Sequence, residues 1–279
     1  LYVASENALF SKNTSTNEIK TTNTIDGLSG QTISAVYHSV KFNKTVVGYE
    51  NGLIIVINEA DGKMLNVVDI ISKQLPAELK RVNHFMEFDG IAYISCDFGI
   101  VQFNLASMQF GDTYFIGDNG AEIKVKQTAL FNGFIYAATN SGIRRASITN
   151  KNLIDYNQWT TIVGGSWVSA TTFGTDLYAI NALGNIHKYN VGSNAFVNSI
   201  QLSQSSSDAK SVAGYMIVTT LNSVNIYNSQ MVIVRQISTN QIPDLTPTFT
   251  CATIIGDTVF IGTKENGMIT VSLLATAQI

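Results

Sequence analysis

An Asn-Gly hairpin between two apolar strands is the feature of this sequence that most constrains its fold. The segment runs from Val46 to Asn58 and turns at Glu50-Asn51-Gly52. Asn and Gly tolerate the positive φ angles of a tight hairpin turn, so the segment predicts two antiparallel strands. Related segments return along the whole chain, and the hairpin is therefore one unit of a repeat.

The repeat has a nearly constant length. Its glycine-like turn residues are 39 to 47 residues apart, at positions 8, 52, 99, 142, 184, 223 and 267. A period of roughly 40 to 50 residues with several strands in each copy is typical of β-propeller blades. We therefore expect an all-β, single-domain β-propeller over residues 1–279, with four antiparallel strands, named A to D, in each blade.

The two ends of the chain hold incomplete units. No strand A precedes the first hairpin, residues 1–13, and residues 250–274 leave little sequence for a strand D in the last unit. Seven markers predict seven blades, whereas merging the two end units into one blade would give six. Each end holds about three strands, which favours seven. Because the chain starts inside a strand, we expect it to be an excised part of a longer secreted protein.

Composition and charge exclude two classes of function. Charged residues are 13% of the chain, and the net charge of -3 leaves no basic stripe for a nucleic acid. The longest apolar run, residues 53–57, is far shorter than the roughly 20 residues that span a bilayer. We expect neither nucleic-acid binding nor a transmembrane segment.

The residues that usually carry catalysis or bind metals do not form a recognisable motif. His38, His84 and His187 lack the spacing of metal ligands, so we interpret them as structural. No Gly-x-Ser-x-Gly elbow and no phosphate-binding glycine loop is present. Carboxylates lie mainly in hairpin turns, where they accept backbone hydrogen bonds. The sequence predicts a non-enzymatic protein without a metal or other cofactor.

Four further side chains are interpreted as structural. Cys96 and Cys251 lie in apolar strands of different repeats, which indicates two buried thiols rather than a disulfide. Trp159 and Trp167 bracket a Gly-Gly-Ser segment at a blade junction. Packing between blades is the favoured interpretation of both rings, and a sugar-stacking platform is the alternative.

One stretch of the sequence resembles known propeller families. Asp26-Gly27-Leu28-Ser29, followed by a strand and by residues 47–53, resembles the repeat of two-component-regulator propellers. Residues 2–10 together with 23–58 are more similar to the family of N-terminal propellers of PorZ, a component of the type IX (Por) secretion system.

The PorZ resemblance implies a cell-surface function. It implies a location in the periplasm or at the outer-membrane surface, a role in an attachment complex with the sortase PorU, PorV and PorQ, and an association with anionic lipopolysaccharide. No family residue can be transferred as functional, since no motif marks a ligand site. The alternative is a ligand-sensing propeller of a two-component-type sensor, and a propeller hydrolase has only scattered carboxylates in its favour.

Two D-to-A connections are the predicted binding loops, because D-to-A loops and B-to-C turns share one face of a propeller and loops on rigid scaffolds usually carry binding. Both contain proline, and both combine exposed apolar with polar residues, as interaction patches do. The alternative is that they only pack over blade edges. Residues 71–81, residues 239–248 and a nearby lysine supply the candidates: Lys73, Leu75, Lys80, Arg81, Lys124, Ile242 and Leu245.

Overall fold

The computed structural model describes residues 1–243 and 245–274. These residues form 26 β-strands in seven antiparallel sheets, in which consecutive strands are hydrogen-bonded neighbours. The fold is a seven-bladed β-propeller, and each sheet is one blade. The predicted fold class and number of blades are therefore confirmed. The six-bladed alternative is wrong, because the two end units form separate three-stranded sheets.

The first four blades follow one another along the chain. Their strands are β1 (Tyr2–Ala4), β2 (Leu9–Lys12) and β3 (Ile19–Thr22); β4 (Ile33–Ser39), β5 (Lys44–Tyr49), β6 (Ile54–Asn58) and β7 (Met64–Val67); β8 (Val82–Phe88), β9 (Ile91–Cys96), β10 (Gly99–Asn104) and β11 (Gln109–Tyr114); and β12 (Val125–Phe131), β13 (Phe134–Thr139), β14 (Gly142–Ser147) and β15 (Thr160–Val163).

The last three blades repeat this order. Their strands are β16 (Trp167–Phe173), β17 (Asp176–Asn181), β18 (Asn185–Asn190) and β19 (Ala195–Gln201); β20 (Ser206–Val212), β21 (Tyr215–Thr220), β22 (Ser223–Tyr227) and β23 (Ile233–Ser238); and β24 (Phe249–Ile255), β25 (Thr258–Thr263) and β26 (Met268–Ser272). The last blade thus has three strands in the described part of the chain, as expected.

The A-to-B turns of the third and fourth blades have the backbone geometry that the sequence predicts, whereas in the Glu50-Asn51-Gly52 turn only Gly52 has a positive φ, of 87°. Asp89-Gly90 and Asn132-Gly133 have φ angles of 48° and 79°, and of 47° and 77°. Two consecutive positive φ values are typical of the type I′ turn, which matches the twist of the strands that it joins. Ala213 adopts a φ of 51° at the equivalent turn of the sixth blade, a conformation that glycine or asparagine would adopt at lower energy.

The chain divides into two compact units, residues 1–128 with 133–161, and residues 129–132 with 162–279. In the first unit the apolar core lies between neighbouring blades. Val46 and Ile54 of the second blade pack in one buried cluster with Phe85 and Ile94 of the third. Because strands B and C are covered on both faces, they consist of nearly continuous apolar residues, whereas the outermost D strands are largely exposed.

The second unit is built on the same principle. One buried cluster joins Ile180 of the fifth blade to Met216 of the sixth, and another joins Ile217 of the sixth to Ile261 of the seventh. In this unit too, the apolar core is shared between neighbouring blades.

Helical structure in the described residues is limited to five 3-10 turns: Thr24–Asp26, Ala77–Leu79, Asp118–Gly120, Tyr156–Gln158 and Thr239–Gln241. Several strand boundaries differ from those that the sequence pattern predicts, which include residues 64–70 and 158–163 for the D strands of the second and fourth blades and 209 for the start of the sixth unit. The D strand of the second blade ends at Val67 rather than at position 70, and that of the fourth blade starts at Thr160 rather than at 158 because a 3-10 turn precedes it. Strand A of the sixth blade starts at Ser206 rather than at 209.

Candidate functional site

Backbone hydrogen bonds hold the B-to-C turn of a blade beside the residue that precedes its strand A. In the third blade, the amide of Asp97 donates to the carbonyl oxygen of Arg81 over 3.1 Å. In the fourth, the amide of Asn140 donates to the carbonyl oxygen of Lys124 over 3.2 Å. The expectation that D-to-A loops and B-to-C turns share one face is confirmed for these blades.

The B-to-C turn of the third blade places a buried carboxylate at the centre of this face. Asp97 is 4% exposed. Its Oδ1 accepts a hydrogen bond from Nδ2 of Asn83 (2.7 Å), and its Oδ2 forms an ion pair with Nζ of Lys124 (2.5 Å). The same Nδ2 also donates to the carbonyl oxygen of Val125 over 2.8 Å. These contacts join β8 to β12 and give the buried carboxylate of Asp97 two partners.

The turn of the second blade holds a more exposed ion pair. Glu50 accepts a hydrogen bond from the guanidinium of Arg81, and about half of each side chain is in contact with solvent. Surface pairs of this kind contribute between zero and about 1 kcal/mol to stability. Nζ of Lys80, the neighbouring predicted cation, donates to the carbonyl oxygen of Ile71 over 2.5 Å. The head groups of Lys80 and Arg81 therefore both already have partners within the protein.

Lys126 is a cation of the same face that the sequence interpretation did not select. It is the second residue of β12 and is half-buried. No described residue gives its ammonium a hydrogen bond or an ion pair. Burial lowers the pKa of Lys126, and the positive charges of Lys124 and Arg81 lower it further. The negative charge of Asp97 partly offsets these effects.

The first predicted binding loop, residues 71–81, packs more closely on the blade than expected. The side chain of Leu75 is partly buried against the core of the second and third blades, and Lys73 is half-buried. Gly52 lies directly beneath the loop, and a Cβ at Gly52 would lie 2.6 Å from Cγ2 of Ile70. Of the apolar residues in this loop, Pro76 is exposed.

The second predicted loop, residues 239–248, begins with a capping box. The Ser238 hydroxyl accepts from the amide of Asn240, and the Gln241 side chain accepts from the amide of Ser238 over 2.8 Å. Ile242 is buried in the core between the sixth and seventh blades, so its predicted exposure is wrong. Leu245 is 40% exposed and remains available to a partner.

A carboxylate in the B-to-C turn of the last blade contacts the residue that precedes strand A of the same blade. Both carboxylate oxygens of Glu265 accept hydrogen bonds from Thr248, one from its amide (2.8 Å) and one from its hydroxyl (2.9 Å). These hydrogen bonds lower the pKa of Glu265. The predicted structural role of the turn carboxylates is thus confirmed for Glu265, which holds the start of β24.

One of the two cysteine predictions is wrong. Both thiols are free, and Cys96 is fully buried, as expected, so that burial strongly raises the pKa of its thiol. Cys251 is exposed, however, although it lies in a strand with apolar neighbours. The reason is its place in an A strand, where alternate residues point away from the neighbouring blade.

The predicted structural histidines make contacts within the blades. The ring of His38 stacks on Tyr2 with centroids 4.9 Å apart, and its Nδ1 lies 3.1 Å from Oγ1 of Thr45. His187 packs edge-on against Trp167 at 4.9 Å, and burial lowers the pKa of its imidazole. His84 lies half-buried on β8.

Both tryptophans are buried, which contradicts the sugar-platform alternative. Nε1 of Trp159 donates to the carbonyl oxygen of Leu153 over 3.0 Å, and its ring packs on Tyr114 of the third blade. Nε1 of Trp167 donates to the carbonyl oxygen of Gly164 over 2.9 Å. Each indole thus satisfies its polar atom and buries the rest of its surface.

A cavity of about 210 Å³ lies between the first and second blades. Tyr2, Lys20, Asp26 and Glu59 provide its polar lining. Oε1 of Glu59 accepts a 2.5 Å hydrogen bond from the buried hydroxyl of Thr45, so this carboxylate already holds a strand of its own blade. The cavity is separate from the predicted loops.

The part of the chain that the structure describes lacks two features of other functional classes. In that part of the chain, no group of three or more His, Cys, Asp or Glu side chains could hold a metal ion. The same residues contain no helix that is long and apolar enough to cross a membrane.

The chain matches one family of known proteins over more than half of its length. Residues 1–160, more than half of its length, match the family described as "TSS9, PorZ, N-terminal beta-propeller domain". The chain belongs to this PorZ family. The resemblance inferred from residues 2–10 and 23–58 is therefore confirmed. The matched region contains Arg81, Lys124 and Lys126, while Ile242 and Leu245 lie outside it.

Solved structures agree with this family and with the fold. PorZ of Porphyromonas gingivalis, described as an essential bacterial surface component of the type IX secretion system, superimposes with a TM-score of 0.78 at 20% identity over 98% of this chain. The chain spans 35% of the length of that PorZ chain.

More distant propellers match less well. BamB from Moraxella catarrhalis gives a TM-score of 0.62 at 13% identity, over 96% of this chain and 92% of its own. The computationally designed Ika8 protein gives 0.60 at 11% identity, over 97% and 82%. No protein of curated function matches the chain. At these identities the likeness concerns the fold alone.

Proposed function

We propose that this chain is the N-terminal, non-enzymatic interaction propeller of a type IX secretion component that works outside the cytoplasm, in the periplasm or at the outer-membrane surface. There it would aid the secretion or anchoring of cargo proteins in complex with PorU, PorV and PorQ. The observation that carries this proposal is the family match over residues 1–160, because the related PorZ is a surface component of that system.

The proposed ligand of the propeller is anionic lipopolysaccharide, bound on the face that carries the D-to-A loops. The support is electrostatic: Lys73, Lys80, Arg81 and Lys124 lie on or beside the first binding loop. Contacts of lysine and arginine with phosphate or carboxylate are charge-assisted and weaken as salt screens them. Leu245 and the partly buried Leu75 are the apolar candidates for a protein partner.

Replacement of both loop cations tests this ligand. In the variant Lys80→Ser with Arg81→Ser, we expect binding to vesicles that contain anionic lipopolysaccharide to fall about tenfold, and the wild-type affinity to decrease with added salt. The variant also loses the hydrogen bond to Ile71 and the ion pair with Glu50. It should therefore lose about 1–2 kcal/mol of stability, which is small enough to keep the chain folded.

Glu50→Ser is the matched control. It removes the same ion pair with Arg81 but leaves every cation in place, so its lipopolysaccharide binding should equal or exceed that of the wild type. Undiminished binding by the double variant, with no salt dependence, would refute the basic-loop model and direct the search to the opposite face.

The secretion role is tested separately in cells. Deletion of the region that encodes this propeller should block surface attachment of type IX cargo, and complementation with the wild-type sequence should restore it. Normal attachment in the deletion strain would contradict the proposed function, whatever the result of the vesicle assay.

A further inference from the structure

Lys126 is a cation of this face that has no counter-ion among the described residues. Lys124 is paired with Asp97 and Arg81 with Glu50, whereas the ammonium of Lys126 has no hydrogen bond or ion pair with any described residue. A half-buried ammonium has lost part of its hydration, and an unpaired charge in that position is unfavourable. Such a group is a ready contact for an anion from outside.

The strand geometry gathers the donors. Lys124 and Lys126 are two residues apart at the start of β12, so their side chains lie on the same face of the chain. Arg81 immediately precedes the neighbouring A strand, β8, whose pairing with β9 shifts register between Val82 and His84. The hydrogen bond from Asn83 to the carbonyl oxygen of Val125 fixes the two strands at this level.

The buried carboxylate keeps the site in place rather than neutralising it. Asp97 is fully used by Asn83 and Lys124, and its 4% exposure leaves it little contact with a ligand. Lys124 has three ammonium protons, only one of which is needed for Asp97, and its side chain is 36% exposed. Arg81 is similarly exposed beyond its contact with Glu50. Lys124 and Arg81 therefore each have donors that still face solvent.

We propose that Lys126, Lys124 and Arg81 form an oxyanion niche that binds a phosphate group. A phosphate carries up to two charges and several acceptor oxygens, so it can receive a hydrogen bond from each of the three cations at once; a carboxylate has one charge and two oxygens. The niche specifies which group of the proposed anionic ligand is bound, and its biological meaning rests on the proposed function. It assigns the central contact to Lys126 rather than to Lys80.

The probe is inorganic phosphate, titrated into the 279-residue chain by isothermal calorimetry at low ionic strength, with acetate as the carboxylate arm. Lys126→Gln should weaken phosphate binding at least about tenfold, as expected for the loss of a hydrogen bond to a charged group. Lys126→Arg keeps the charge, and its affinity for phosphate should stay within about threefold of that of the wild type. Lys63→Gln is the matched control, since Lys63 is 83% exposed and pairs with Asp61 far along the second blade; it should not change the affinity.

A second readout separates binding from folding. In NMR spectra of labelled lysine side chains, Lys126 should titrate below ordinary lysines in the free protein, and phosphate should raise its pKa, because the bound anion stabilises the ammonium. An unchanged titration of Lys126 at saturating phosphate would overturn the niche.

The remaining outcomes also decide the matter. Equal phosphate binding by Lys126→Gln and the wild type, no binding by the wild type, or acetate binding as tight as phosphate would each refute the proposal. If Lys126→Gln loses phosphate while the Lys80 and Arg81 double variant still binds lipopolysaccharide, the niche stands and the basic-loop model of lipopolysaccharide binding fails. If the double variant loses lipopolysaccharide while Lys126→Gln keeps phosphate, the niche fails and the proposed ligand stands.

Discussion

Gly48 lies where the second and third blades approach closely, and its replacement by alanine tests the packing argument directly. Gly48 lies in β5, strand B of the second blade. A Cβ at this position would lie 2.5 Å from Cγ1 and 2.9 Å from Cβ of Val82, and 3.0 Å from Cζ of Phe85. Val82 is fully buried at the start of β8, so it has no free space into which to move. Gly48→Ala must therefore push the second and third blades apart.

The magnitude follows from the cost of overpacking. One extra methyl group in a filled core costs about 1–3 kcal/mol, and contacts below 3.0 Å place Gly48→Ala at the upper end of that range. Val82→Ala alone should also destabilise, because it leaves a cavity at a buried site. In the double variant the new methyl group occupies that cavity. The double variant should therefore be at least about 1 kcal/mol more stable than the sum of the two single effects predicts.

Urea denaturation followed by tryptophan fluorescence measures these differences, with Gly30→Ala as the control. A Cβ at Gly30 would meet only Cγ2 of Thr24 at 3.9 Å, an ordinary contact, and its backbone needs no positive φ. That control should change the free energy of unfolding by less than about 0.5 kcal/mol. Strictly additive effects of Gly48→Ala and Val82→Ala, or a Gly48→Ala variant as stable as the control, would refute the claim that these two residues set the blade spacing.

Two further predictions concern single side chains. In the native protein, Cys251 should react with a thiol reagent within minutes, whereas Cys96 should react only on unfolding, since it is fully buried and burial raises the pKa of its thiol. Mass spectrometry of the labelled peptides distinguishes the two cysteines. Equal labelling of both would contradict the burial of Cys96. Burial lowers the folded-state pKa of His187 below its ordinary value of 6.5, so the unfolded chain binds the proton more readily and the His187 contribution to stability is lost as pH falls below about 6.5. A His187→Asn variant should therefore show a flatter decline in melting temperature over that pH range. An identical slope for the variant and the wild type would exclude the effect.

The fold could be predicted from the sequence because its signals are local and repeated. Each Asn-Gly or Asp-Gly turn specifies a hairpin by the φ angles that it permits, and a regular period then forces the hairpins into equivalent blades. Asp89-Gly90 and Asn132-Gly133 adopt the expected left-handed pair of conformations. Strand ends were less predictable, because a 3-10 turn such as Tyr156–Gln158 can replace the first residues of a strand without changing its apolar pattern.

The exposure of loop residues could not be predicted in the same way. Ile242 and Leu75 lie beside prolines in long D-to-A connections, which resembles an exposed interaction patch in sequence. In the structure Ile242 is buried and Leu75 is partly buried, because these connections cross the edge of the apolar core and use their own aliphatic residues to cover it. Whether a loop residue faces the core or the solvent depends on a neighbouring blade that is about forty residues away in sequence.

The position of Lys126 shows why the centre of the candidate site escaped the sequence interpretation. Loop composition selects Lys80 and Arg81, but charge balance depends on which acid lies beside which cation. The acids at the B-to-C turns reach to the starts of A strands: Glu50 to Arg81, and Asp97 to Lys124. Each of these contacts consumes one loop cation. Lys126 lies inside the strand, two residues beyond the paired Lys124, and has no acidic partner among the described residues. The alternating pattern Lys124-Val125-Lys126 was the available signal that both ammonium groups share one face.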